Sequence, residues 1–243
     1  SAAERADIIN WIRGQDVFDE DNDTITAENR NWRFYDPVHS RPVIVNYGGT
    51  TSNPVMKVFV GTNDGMIHMI NEKTGDLEWS FMPPEMLPVQ KALSNDADGE
   101  HIWGVDNTPS FDIQDKSRDV ANNIVDVPDG IINAADGDYV HLYIGTRRGG
   151  RNIYALDVTP STTISSPTAT GGVQPKLLWA IRGGTSTGYA ALSQTWARPV
   201  VRQIRKGTGV GSGAIAESAL TKVLFFGGGY DPTNHLQIPA PTP

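Results

Sequence analysis

Residues 58–79 read VFVGTNDGMIHMINEKTGDLEW. Three short apolar runs are cut by Asn63-Asp64-Gly65 and by Lys73-Thr74-Gly75-Asp76, and a tryptophan closes the stretch. Each cut is a turn, because Asn, Asp and Gly tolerate the positive φ that tight hairpins need. Segments 57–61, 66–71 and 77–81 are therefore predicted strands. Arg41-Pro42-Val43-Ile44-Val45 adds one before them, its proline at the strand entrance, where a missing N–H costs least. Four short antiparallel strands in succession make one blade of a β-propeller.

The unit recurs. Thr108-Pro109-Ser110-Phe111-Asp112 repeats the proline-led strand, HLYIGTRRGG (141–150) repeats KVFVGTNDG, NIYALDV (152–158) repeats MIHMINE, and LLWAI (177–181) repeats LEWSF. A third unit opens at Arg198-Pro199-Val200-Val201 and continues as KVLFFGGGYD (222–231). The glycine after each second strand falls at 61, 145 and 227, steps of 84 and 82 residues. Those steps are about twice a lean propeller repeat. The surplus lies in 83–107, 113–138, 161–175 and 206–218, low in apolar residues and expected to be mobile. Trp79 and Trp179 are expected to pack flat between neighbouring blades.

The predicted class is mainly β: a partial β-propeller of quinoprotein-like blades, about two and a half four-stranded antiparallel sheets, behind a short N-terminal helix. Residues 1–35 hold the helix, with Ala6, Ile9 and Ile12 at helical spacing, and an acidic loop. Residues 36–243 hold the blades, approximately 36–82, 106–182 and an incomplete 196–243. Propellers usually have four to eight blades. Further blades downstream or another chain are therefore expected to complete the ring, and the chain is expected to begin inside a longer protein. Unpaired edge strands invite such completion. A net charge of −8 argues against the phosphate-neutralising grip of nucleic acid binding. The absence of cysteine removes disulfides, thiolate nucleophiles and Cys-ligated metals. No run of 18 apolar residues is present, so no helical membrane span is predicted.

Three acidic clusters suggest calcium. Asp19, Asp21 and Asp23 share the i, i+2, i+4 spacing that opens an EF-hand loop, but Thr24 and Arg30 stand where that loop needs Gly and Glu. Asp96, Asp98 and Glu100 repeat the spacing, and Asp126, Asp129, Asn133, Asp136 and Asp138 form a looser group. The plainer reading of each is a solvated acidic loop. His39 is expected to hydrogen-bond backbone near the ring axis. Ser40 beside it has no Gly-x-Ser-x-Gly elbow. Arg147, Arg148 and Arg151 form the compact basic cluster, read either as pairing with acidic loops of the same molecule or as a docking spot for an acidic partner.

In order along the chain, INWIRG (9–14), DPVHSRPV (36–43), VFVGTNDGMIHMINEKTGDLEWSFMPPEMLP (58–88), EHIWGVDNTPSFDI (100–113), GTRRGGRNIYALDVT (145–159), LLWAI (177–181) and VLFFGGGYD (223–231) resemble the C-terminal propeller of the PilY/PilC type IV pilus biogenesis factors and tip adhesins. YAALSQTWARPV (189–200) departs from the family pattern by extra residues before the proline. The resemblance implies a non-enzymatic role at the bacterial cell surface, at the pilus tip: support of assembly, antagonism of retraction, and adhesion. The implied partners are minor pilins of the tip complex and a host or surface receptor. It implies an upstream variable module, and a calcium loop beyond Pro243. Two alternatives remain. A quinoprotein dehydrogenase would hold pyrroloquinoline quinone, commonly stacked on a vicinal disulfide that a chain without cysteine does not make, so no organic cofactor is expected. A bare scaffold propeller of outer-membrane assembly is the other.

Overall fold

A computed structural model describes residues 1–31, 34–95, 101–205 and 220–231. Helix α1 (Ala2–Ile12) opens with a capping box: the Ser1 hydroxyl accepts from the Glu4 amide, and the Glu4 carboxylate reaches back to the Ser1 nitrogen. The helix is capped at Arg13, and Gly14 beyond it turns the chain away at a φ of +96°.

The strands form two four-stranded antiparallel sheets in simple meander order. The first comprises β1 (Val43–Thr50), β2 (Asn53–Gly61), β3 (Ile67–Asn71) and β4 (Leu77–Phe81). The second comprises β5 (Ser110–Gln114), β8 (Tyr139–Gly145), β9 (Asn152–Asp157) and β10 (Lys176–Arg182). A small hairpin, β6 (Ser117–Arg118) with β7 (Ile124–Val125), is inserted between β5 and β8. A further hairpin pairs β11 (Val200–Arg205) with β12 (Leu220–Phe225). After the first sheet the chain makes a 3-10 turn at Pro84–Val89 and helix α2 (Gln90–Asn95). The described residues are thus mainly β, in four antiparallel sheets with two short helices, and they close no barrel or ring.

Alternation along β2 and β8 sets which side chains enter the core, whereas β3 and β9 are buried almost throughout. Val45, Phe59, Ile67, Met69 and Trp79 of the first sheet join Val140, Leu142, Ile144, Tyr154 and Leu156 of the second in one apolar cluster. Phe59 meets Phe111 edge-on at 4.9 Å, and the buried Tyr47 hydroxyl donates to the Val158 carbonyl at 3.0 Å. The recurring glycine has a packing reason. A Cβ on Gly61 would stand 2.2 Å from the Val105 carbonyl oxygen, and one on Gly145 2.8 Å from Thr195 Oγ1. Each glycine lets the second strand of one unit touch the chain leading into the next.

The two tryptophans differ. Trp79 is 9% exposed and belongs to the core, whereas Trp179 is 38% exposed and does not. Trp179 lies on the far face of the second sheet beside Tyr143, lining a cleft with Tyr189, Val223, Leu224 and Phe226. Its expected burial between sheets is therefore corrected: the cover over that face is the β11–β12 hairpin, and it leaves part of the ring in water.

The expectation of a mobile 161–175 loop is also corrected. Ile164 and Val173 sit in the core, and the Ala169 carbonyl accepts from the Lys57 ammonium at 2.7 Å. Two apolar anchors in a polar segment are enough to dock it.

Candidate partner-binding site

The turns after β2 and β8 lie at one end of their sheets, and the lead-in segments to β5 and β11 run beside them. Asn63 Oδ1 accepts from the Gly104 amide at 3.1 Å, and its Nδ2 donates to the Asp36 carboxylate at 2.9 Å. Asn107 Nδ2 donates to the carbonyls of Thr195 and Ala197. Thr195 Oγ1 accepts from the amides of Thr146 and Arg147. Side-chain-to-backbone bonds of this kind stitch one unit to the next and fix what the turns present.

What they present is aromatic and basic. Asp106 is 1% exposed and receives two partners. His39 Nδ1 lies 2.8 Å from one of its oxygens, and Arg147 Nη1 donates to the same oxygen at 3.0 Å. The expected backbone partner for His39 is thus replaced by a carboxylate, and its ring packs on Trp103 at 5.4 Å. His101 also packs on Trp103, at 4.2 Å, and binds the Asp36 carboxylate at 2.9 Å. Burial acts to raise the Asp36 carboxyl, but hydrogen bonds from Asn63 and His101 outweigh it and hold it below the ordinary carboxylate range. Ser40 is buried and its hydroxyl accepts from the Gly61 amide, a structural task.

The three arginines of the basic cluster do not act together. Arg147 is spent on Asp106 and lies over Trp196 at 4.6 Å. The Arg148 guanidinium sits over Trp103 at 4.4 Å and Trp196 at 5.2 Å. Arg151 is exposed and packs instead against the turn at Gly183 after β10. Trp103, Arg148, Gln194, Trp196 and Tyr230 line a cleft of about 290 Å³. Sequence reading found the arginines and missed Trp103, Trp196 and Tyr230. The signal was a tryptophan or tyrosine in each of the segments that converge here, in HIWGVDN, SQTWARP and GGGYD.

The acidic loop is a separate place. Asp19, Asp21 and Asp23 do come together, each offering an oxygen within 4.8 Å of the others, as do Asp16, Asp21 and Glu28. The chain already uses these groups: Asp19 accepts from the Thr24 amide, Asp23 from the Ile25 amide and Asp21 from Asn31 Nδ2. Calcium takes six to eight oxygens, more than three monodentate carboxylates supply. In the looser group, Asp136 pairs with Arg118, and Asp138 accepts from the amides of Lys116 and Asn133. Asp96, Asp98 and Glu100 lie outside the described residues.

The chain is similar in sequence to curated proteins. The Pseudomonas aeruginosa (strain UCBPP-PA14) type IV pilus biogenesis factor PilY1 is 28% identical over 239 residues, covering 87% of this chain and 17% of that protein. A Xylella fastidiosa (strain Temecula1) PilY1 homologue is 28% identical over 249 residues, 92% of this chain and 18% of its own. Over most of its length, this chain is homologous to PilY1. It spans about a sixth of the length of these PilY1 relatives. The crystal structure of the P. aeruginosa PilY1 C-terminal domain has a TM-score of 0.41 at 22% identity, covering 74% of this chain and 26% of that one. No protein-family profile matches.

One further constellation was not legible in the sequence. His68 is 2% exposed, with Nδ1 2.7 Å from the Ser80 hydroxyl and Nε2 3.1 Å from Asp64 Oδ2 and 2.8 Å from Thr62 Oγ1. Asp64 also accepts from the Met66 amide, so the group holds the β2–β3 turn shut, with Phe34 packed on the imidazole at 4.5 Å. Both ring nitrogens are satisfied, Nε2 within the turn and Nδ1 by Ser80 of β4, which makes this a structural histidine.

Proposed function

We propose that this chain is a propeller segment of a non-enzymatic type IV pilus factor that acts at the bacterial surface, supporting pilus assembly and attachment. The observation that carries the reading is homology to PilY1 factors along 87–92% of the chain. The repeated four-stranded sheets, each docked through a glycine on the segment leading to the next, support a radial stack that further blades or another chain would complete. The partners in this reading are minor pilins of the tip complex, with a surface receptor as the adhesive target.

The test is deletion of the gene in its own host, with pili counted by electron microscopy and surface exposure followed by antibody. Loss of surface pili, restored by the intact gene and not by a copy lacking residues 36–231, is the expected result. Normal piliation and attachment in the deletion strain would overturn the proposal.

A further inference from the structure

The convergent end holds two neighbouring arginines whose charges are met differently. Arg147 is neutralised by Asp106. Arg148 has no ion-pair partner among the described residues, and its Nε is buried without a hydrogen-bond acceptor. The two indoles hold the guanidinium by cation–π contact but supply no acceptor for its N–H groups. A buried donor without an acceptor costs free energy, and the guanidinium as a whole has no carboxylate to share its charge among the described residues.

We propose that the cleft of Trp103, Arg148, Gln194, Trp196 and Tyr230 is a binding site for a carboxylate side chain of an acidic peptide segment, with Arg148 as the recognising residue. The neighbouring polar groups are already engaged. Gln194 Nε2 donates to the Arg148 carbonyl at 3.3 Å, and Gln194 Oε1 accepts from Trp196 Nε1 at 3.0 Å. Arg148 covers a face of both Trp103 and Trp196, and Tyr230 packs on Trp196 at 5.3 Å, which leaves less flat ring for a sugar to stack on. What remains is a planar fork of N–H donors, the geometry that matches a carboxylate bidentately. At about 290 Å³ the cleft accepts one side chain and is smaller than most small-molecule sites. Arg148 stands on a chain of net charge −8, so this spot orients an acidic segment that the rest of the surface repels. The inference rests on this geometry and is independent of the pilus reading.

The experiment is fluorescence anisotropy with a labelled peptide of alternating glycine and glutamate, against the same peptide with glutamine in place of glutamate. The glutamate peptide is expected to bind and the glutamine peptide not. Arg148→Gln is expected to weaken binding about tenfold or more, and Arg148→Lys, which keeps the charge and loses the fork, by a smaller factor. Arg151→Gln is expected to change it by less than about twofold, since Arg151 lies outside the cleft. Circular dichroism confirms that each variant is folded, and Arg148→Lys keeps the test open if Arg148→Gln does not fold. Equal binding of the glutamine peptide, no effect of either Arg148 change, or a uronate oligosaccharide binding in preference to the peptide would each overturn the proposal. A strain that carries Arg148→Lys and keeps its pili leaves the pilus reading standing, so the two ideas fail separately.

Discussion

Phe59, Met69 and Trp79 stand side by side across the first sheet, and Tyr143, Ala155 and Trp179 stand in the same row across the second. In both, the last strand bulges by one residue just before its tryptophan, at Glu78 and at Leu178. The ring separations match, 5.9 Å for Phe59 with Trp79 and 5.9 Å for Tyr143 with Trp179. The sheets differ in what lies on top. Trp79 is covered by a complete second sheet, and Trp179 by a two-stranded hairpin. Two copies of one local design therefore reach different burial, because burial is a property of the neighbour and not of the strand.

The largest expected effect concerns a pair that only the first sheet has. Lys57 is fully buried against the Glu78 carboxylate, which is itself 1% exposed. The corresponding positions of the second sheet, by register, are His141 and Leu178. Lys57→Met strands a buried carboxylate and is expected to cost about 3–5 kcal/mol in urea unfolding. The double change with Glu78→Leu is expected to recover most of that loss. A single variant as stable as the parent would show that Glu78 escapes to water or takes up a proton.

Next is the tryptophan pair. Trp79→Ala is expected to cost about 3–5 kcal/mol, the usual range for emptying a core aromatic site. Trp179→Ala buries less surface to begin with and is expected to cost roughly 1–2 kcal/mol. Equal losses would break the comparison. Repeating the pair with any domain or partner that seats over Trp179 sharpens it, because added cover would raise its cost toward that of Trp79.

Glu85 joins the two sheets. It sits in the 3-10 turn after the first and accepts hydrogen bonds from the Tyr154 hydroxyl and from Arg182 Nε of the second. Burial acts to raise its carboxyl, but those two bonds outweigh it and hold it below the ordinary value. The same contact pushes the Tyr154 phenol up, with burial the larger cause. A depressed folded value means stability that is present above the unfolded pKa, about 4.3, and lost as pH falls through the folded value. Glu85→Gln is expected to cost about 1 kcal/mol at neutral pH and to flatten the acid limb of the stability curve below about pH 4. An unchanged acid limb would show that the clamp does not hold the sheets together.

The repeat was legible because hairpin chemistry is local. The turns at Asn63-Asp64-Gly65 and Lys73-Thr74-Gly75 and the strand 77–81 follow from neighbours in sequence, and the structure places them there. The proline-led starts were legible too, although β1 begins at Val43 and β5 at Ser110, after the proline in each case. The insertion was not, because Ile164 and Val173 are sparse apolar residues in a Ser/Thr/Pro/Gly stretch, and the segment is held on the first sheet by Lys57, 112 residues from Ala169. The candidate site was half legible. Like charges close in sequence drew attention to 147–151, but Asp106, which separates Arg147 from Arg148 in role, comes from another segment.

The smallest expected effect returns to the row in which Lys57 faces Asn71 in one sheet and His141 faces Asp157 in the other. Lys57 finds a carboxylate in Glu78, whereas Leu178 at the matching bulge offers His141 none. Burial lowers the His141 pKa below its ordinary value, the carboxylates of Asp157 and Asp112 push it partly back, and Lys222 adds to the lowering. Tyr139 stacks on the ring at 4.2 Å and Lys222 reaches Asp112 at 2.8 Å, so the face is already occupied. A histidine with a depressed folded value contributes stability that is present above its unfolded pKa, about 6.5, and lost as pH falls through the folded value. The parent protein should therefore lose a little stability between about pH 6.5 and 5, and His141→Gln should lose less over that window. Urea midpoints measured across it decide the matter. A variant with the same slope as the parent would mean that another group carries the dependence, and that the second sheet tolerates a cation at this row as the first one does.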